Sequence, residues 1–178
     1  MKLGLLKETK EVWGNFILNQ LQNYTVKDME FDQGHVLNNM FYIFPSTKDC
    51  CETHLESIPD KNAFQISLKG LSTGFNSQQF KFKGSFISLK GAAQVEITNV
   101  TLNATFQFLK HKLADGRLVP AFSIIDFGIN FPSESLSIVV QGNIETKVSK
   151  EFKKVFLYKL KPQIEQGLQL TLKSHMIL

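Results

Sequence analysis

The chain is poor in cysteine, tryptophan and tyrosine, and it lacks any apolar run long enough to cross a bilayer. Its two cysteines, Cys50 and Cys51, are neighbours in sequence. A disulfide framework needs separated cysteines, because adjacent ones staple nothing distant. That excludes a cystine-stabilised scaffold and agrees with a reducing compartment. A spanning helix needs about 18 or more consecutive apolar residues, and no stretch approaches that. Met1 to Leu6 carries one lysine and four apolar residues, but Lys7, Glu8, Lys10 and Glu11 follow at once. Such a segment is too short for a signal-peptide core, so the expected compartment is intracellular.

Catalytic signatures are also missing. There is no Gly-x-Ser-x-Gly elbow, and Gly70, Gly74, Gly84 and Gly91 are too spread to cradle a phosphate. Cys50-Cys51-x-x-His54, with Asp49 and Glu52 beside it, is the one cluster of metal-ligand types. Structural zinc uses two separated ligand pairs, whereas His35, His111 and His175 are scattered, so the cluster reads as an ordinary loop. A Cys–His pair through His54 or His111 is the residual nucleophilic arrangement. The net charge of +4 favours anionic surfaces without naming one, and no nucleic-acid motif accompanies it. The expectation is a non-enzymatic protein without metal or cofactor and without a nucleic-acid partner.

What is abundant is phenylalanine, with sixteen Phe against one Trp and three Tyr. The apolar mass is therefore bulky and short of polar handles. It either packs a solid core or lines a cavity. At 178 residues, 43% hydrophobic and 20% charged, the composition is that of one globular domain, residues 1–178.

Periodicity divides that domain. Residues 5–24 read as an amphipathic helix with Leu5, Leu6, Val12, Trp13, Phe16, Ile17, Leu21 and Tyr24 near helical spacing. Within the irregular stretch that follows, 36–44 reads as a buried strand stopped by Pro45. Residues 49–57 read as a loop or short helix, and Ile58-Pro59-Asp60 as a turn. From Phe64 the period becomes two. Ala93, Val95 and Ile97 are odd-numbered, but Val100, Leu102, Ala104, Phe106 and Phe108 are even. A one-residue slip exchanges the faces, so the switch predicts a bulge near Thr98–Asn99. Asp115-Gly116 predicts a two-residue hairpin turn. Strands follow at Ile125, Phe127, Ile129 and Phe131 and at Leu136, Ile138 and Val140. A final helix carries Val148, Phe152, Phe156, Leu160, Ile164, Leu168 and Leu172 at strict i+4 spacing. Ser149 is its candidate cap, and Pro162 should kink it. Asn23-Tyr24-Thr25, Asn99-Val100-Thr101 and Asn103-Ala104-Thr105 are glycosylation sequons, read here as outward polar positions.

Several of these features together carry a resemblance: Ile58-Pro59-Asp60 before the first long strand, the run Val95-Glu96-Ile97-Thr98-Asn99-Val100-Thr101-Leu102, Gly116-Arg117-Leu118-Val119-Pro120 opening the next strand, and the terminal helix. From about residue 58 the chain resembles the tubular lipid-binding superfamily, as one unit of the bactericidal/permeability-increasing and lipopolysaccharide-binding protein family. Residues 1–57 are divergent. The resemblance implies an α+β fold in which a curled antiparallel sheet wraps a long C-terminal helix, beside an N-terminal amphipathic helix. It also implies an apolar groove for lipid. Secreted members tie the strand near Ser123–Asp126 to the region past the last helix by a disulfide, and often carry two tandem units. No cysteine occupies either place here.

Strand and helix phase select the expected groove lining: Phe16 on the first helix; Ile66, Leu68, Phe80 and Phe82; Leu102, Phe106 and Phe108; Ile125, Phe127 and Ile129; and Phe152, Phe156 and Leu160 on the last helix. The expected partner is a lipid or other hydrophobic small molecule, and a bound lipid is the only non-protein group implied. Lys147, Lys150, Lys153 and Lys154 crowd the last helix. They form either a solvated face or a contact for an anionic membrane or a larger protein complex. The alternative to ligand binding is a structural accessory subunit that reuses the fold with its interior packed shut.

Overall fold

The computed structural model describes residues 3–43, 52–85, 88–140, 143–145 and 150–175. Pro45, Asp49, Cys50, Cys51, Lys147, Val148 and Ser149, which the sequence reading uses, lie outside them. In chain order the elements are helix α1 (Leu3–Gln20) and strands β1 (Asn23–Val26), β2 (Met29–Phe31), β3 (Gly34–Ile43) and β4 (Glu52–Ile58). There follow β5 (Ala63–Lys83), β6 (Ser88–Lys112), β7 (Leu118–Asn130), β8 (Leu136–Val140) and β9 (Asn143–Glu145). A closing helix comprises α2 (Lys150–Val155), a π turn (Phe156–Leu160) and α3 (Lys161–His175).

The described strands form one antiparallel sheet whose spine is the β5–β6 pair. Along the outer side of β5, β4 pairs with the first half and β3 with the second. Along the outer side of β6, β8 pairs near Ala93–Ile97 and β7 beyond Thr101. The predicted bulge lies at this change of partner. Thr73 pairs with Ile97 and Leu71 with Val100, so Thr98 and Asn99 oppose Ser72 alone. Asn99 is left-handed (φ 55°), and the Ser135 hydroxyl donates to the Thr98 carbonyl at 2.6 Å. The parity switch therefore keeps Val95, Ile97, Val100, Leu102 and Phe106 all buried. Two further register shifts, between Leu68 and Leu71 and between Ser77 and Phe80, bend the same pair. The sheet curls around the closing helix.

That helix buries Phe152, Phe156, Leu160, Ile164, Leu168 and Leu172. Strict i+4 spacing does not suit a plain α-helix, in which each step of four residues drifts about 40° around the axis. The π turn takes back part of that drift. The Lys161 N–H bonds the Phe156 carbonyl, five residues back, just before Pro162. A proline ring meets the carbonyl four residues earlier, and the wider turn makes room for it. Pro162 thus follows a local change of helix type where a kink was expected.

Four other expectations are corrected. Helix α1 ends at Gln20, and Tyr24 belongs to β1, where its ring crosses α3 so closely at Gly167 that a Cβ there would overlap the phenol. Residues 52–58 are strand β4, missed because this edge strand buries none of its side chains fully. The hairpin between β6 and β7 has a three-residue loop. The Leu113 N–H bonds the Arg117 carbonyl across it, and Gly116 takes φ +86°. Ile125 is exposed, because Thr105 pairs with Asp126 and Phe106 with Ile124, leaving residue 125 as the extra residue of a bulge.

Candidate functional site

Of the expected lining residues, Ile66, Leu68, Phe80, Phe82, Leu102, Phe106, Ile129, Phe152, Phe156 and Leu160 come together in the buried core. Phe16 and Phe127 pack half-buried against it. Between helix and sheet the rings interlock: Phe75 and Phe131 lie edge-on to Phe156 at 6.1 and 5.7 Å, and Phe80 and Phe82 to Phe152 at 5.6 and 5.5 Å. Phe156, Leu160, Ile164, Leu168 and Leu172 have no solvent-accessible surface. With those side chains fully buried, a ligand would have to lift the helix to lie there. Phe108 and Ile125 are exposed and do not line this interior.

Open space lies at one end of the tube. There α1 crosses the outer edge of the sheet, with Gly14 set closely against Thr53 and Leu68. Beyond Gly14 a cleft of about 460 Å³ opens, lined by Thr9 and Trp13 of α1, Leu55 and Ser57 of β4, Ala63 and Phe64 of β5, and Phe108 of β6. Its floor is aromatic. The Trp13 ring lies 5.0 Å from Phe64, 5.0 Å from Phe106 and 5.3 Å from Phe122, and Phe108 lies 5.2 Å from Phe64. None of the described lining residues is ionisable, and Thr9 and Ser57 supply the polar groups. The site offers apolar surface with little to grip a charge. Its volume falls within the roughly 300–1,000 Å³ typical of small-molecule sites.

Phe108 is the one residue of the expected lining that borders this cleft. Trp13 on α1 is far in sequence from Leu55 and Phe64 of the β4–β5 pair, and their meeting has no local signature. The available hint was the single tryptophan, since a half-buried indole favours boundaries between apolar and wet surroundings.

The basic face of the closing helix is uneven. Lys150 and Lys154 are exposed and Lys153 is half-buried, while Lys161 sits 3.6 Å from Glu165. Lys154 and Lys159 share a shallow cleft with Glu30, Asp32 and Tyr158, so acidic groups face part of the cationic row. At the start of the helix, Glu151 accepts bonds from the Ser85 hydroxyl (2.6 Å) and N–H (2.8 Å). Those bonds hold its carboxyl below the usual glutamate range, with nearby Lys154 adding to the effect. Among the described residues no group of three or more His, Cys, Asp or Glu is placed to hold a metal, and no helix is long and apolar enough to cross a membrane. His54 stands on β4 with Nε2 2.8 Å from Glu52.

No protein-family model matches the chain, and no curated protein matches it. Among solved structures it is similar to the crystal structure of lipopolysaccharide binding protein, with a TM-score of 0.48 and 17% identity over 96% of this chain and 37% of that one. It is also similar to Takeout 1 of Epiphyas postvittana, with a TM-score of 0.47 and 12% identity over 80% of this chain and 66% of that one. The fold is an antiparallel sheet curled around a long closing helix. An N-terminal helix, a curled sheet and a long closing helix occur in the order that the sequence resemblance implies.

Proposed function

We propose that the protein binds a lipid or comparable hydrophobe, with its apolar portion in the cleft between α1 and the β4–β5 edge. One observation carries this reading: an open, aromatic-floored cleft at one end of the tube, with no charged residue among its described lining. Burial of an acyl chain contributes about 0.8 kcal/mol per methylene, so ten methylenes supply roughly 8 kcal/mol before ordering costs. Trp13 is the only tryptophan, so its emission reports on this site alone. A brominated long-chain fatty acid should quench it saturably, and Ser57→Phe, which fills the cleft from β4, should weaken the quenching about tenfold or more. Absence of saturable quenching, or quenching indifferent to Ser57→Phe, would overturn the assignment.

The closed interior favours a second reading, in which the chain serves as an accessory subunit docked through Lys150, Lys153 and Lys154. Reversing Lys150 and Lys154 to Glu would then release it from its assembly in a pull-down without altering fatty-acid quenching.

A further inference from the structure

The β6–β7 hairpin runs past the end of the tube, and its composition is unlike that of the strands behind it. Phe108, Leu109 and Leu118 are 44%, 45% and 62% exposed. Beside them Lys110, His111, Lys112 and Arg117 are all exposed. The hairpin loop holds one acidic residue, Asp115, whose carboxylate is already engaged by the Arg117 N–H at 3.0 Å and Nε at 2.7 Å. Against that one carboxylate stand Lys110, His111, Lys112 and Arg117, so the projection presents a cationic excess around uncovered apolar side chains.

Register sorts these residues by face. Lys112 pairs with Leu118, Lys110 with Pro120 and Phe108 with Phe122. With a side-chain period of two, Phe108, Lys110, Lys112, Leu118, Pro120 and Phe122 share the face that continues from buried Phe106. That face forms an apolar strip leading out of the aromatic cluster and ending in two lysines. Phe108 belongs both to the cleft beside Trp13 and to the open groove along the hairpin. The base is fixed: the Phe108 N–H bonds the Asn62 carbonyl at 2.9 Å, and the Asn62 side chain donates to the Phe108 carbonyl at 3.1 Å. The projection is therefore anchored to the tube at the mouth of the cleft.

We propose that this hairpin is a membrane-docking element whose partner is an anionic phospholipid bilayer. Entering tip-first, the ribbon buries Leu118 from this face and Leu109 from the opposite face in the interfacial layer, while Lys110, Lys112 and Arg117 reach lipid phosphates. Docked in this way, the mouth of the cleft faces the bilayer, and an acyl chain can pass along Phe108 without crossing water. The inference rests on the lipid-binding reading for its purpose, but the docking itself can be tested apart from it.

The experiment is flotation of the full chain with vesicles of phosphatidylcholine alone and with phosphatidylserine added. Three proteins are compared: the wild type, Leu109→Glu with Leu118→Glu, and Lys110→Glu with Lys112→Glu. All substituted positions are exposed, and matching thermal melts confirm retained folding. Wild type should float with the anionic vesicles, and each double variant should partition roughly tenfold less or worse. Quenching of Trp13 by brominated fatty acid in solution should persist in both variants, which separates docking from cleft occupancy. A wild type that floats with neither vesicle overturns the proposal, as does flotation unchanged in the variants. If a protein partner covers this face instead, the wild type stays unbound to vesicles, and the proposal fails by the same result.

Discussion

The two ends of the tube are built from opposite materials. At one end the tip of the β5–β6 hairpin meets the start of the closing helix through polar groups, with Ser85 donating two bonds to Glu151. At the other end α1 lies across an edge, leaving Trp13, Phe64 and Phe108 around an open cleft. Between them the phenylalanines of helix and sheet exclude water altogether. The described phenylalanines thus do two jobs, and position along the tube decides which.

The same truncation applied in both places tests that division. Phe156→Ala should destabilise the protein by about 3–5 kcal/mol, because the surrounding rings cannot collapse into the space. Phe108→Ala at the open end should cost about 1 kcal/mol or less while weakening fatty-acid quenching. Denaturant titration of both variants decides it, and equal losses would erase the distinction between closed middle and open end.

Ligand linkage provides the next test. A fatty acid present at 100 times its dissociation constant should stabilise the wild type by about 2.7 kcal/mol. Ser57→Phe should lose most of that gain. If the gain survives Ser57→Phe but disappears in a variant of the closing helix, the ligand occupies the interior after all.

A third test concerns how tightly the closed part is seated. Alanine normally improves a helix interior over glycine by about 1 kcal/mol. At Gly167 the sign should reverse, because the new methyl meets the Tyr24 ring, and overpacking of this kind costs roughly 1–3 kcal/mol. A Gly167→Ala protein that melts higher than wild type would show that α3 can shift, and hence that the interior can open.

The smallest expected effect belongs to the polar end. The bonds from Ser85 depress the Glu151 carboxyl below its ordinary value, so the ionised form is the one favoured by folding. That contribution is present above the ordinary glutamate range and is lost as the pH falls through the depressed folded value. Ser85→Ala should therefore melt slightly lower than wild type at neutral pH, and the gap should close under acid conditions. A gap independent of pH would assign the contact no electrostatic role.

The bulge at Thr98–Asn99 was legible in the sequence because apolar parity changes there and nowhere else within that strand. The bulge at residue 125 was not, since Ile124 and Ile125 are both apolar and either phase satisfies the alternation. Tyr24 fits helical spacing from Leu21 and strand spacing toward Val26 equally well, which blurred the end of α1. Strand β4 hid because Glu52, His54 and Glu56 make an edge that looks like a loop. The architecture was readable because it depends on period. The cleft depends on which distant segments touch, and periodicity carries no such information.

A curled sheet that does not close on itself has rims, and a rim is a template on which another polypeptide can grow. Here the rim beside β3 is interrupted between β1 and β2, where the Asp28 carboxylate takes the Asn38 N–H at 2.7 Å in place of a strand backbone. On the far side Glu165 reaches from α3 to take the Ile129 N–H of β7 at 2.9 Å. Each carboxylate occupies a donor that a foreign strand would need. At those two positions the rim is closed to strand addition.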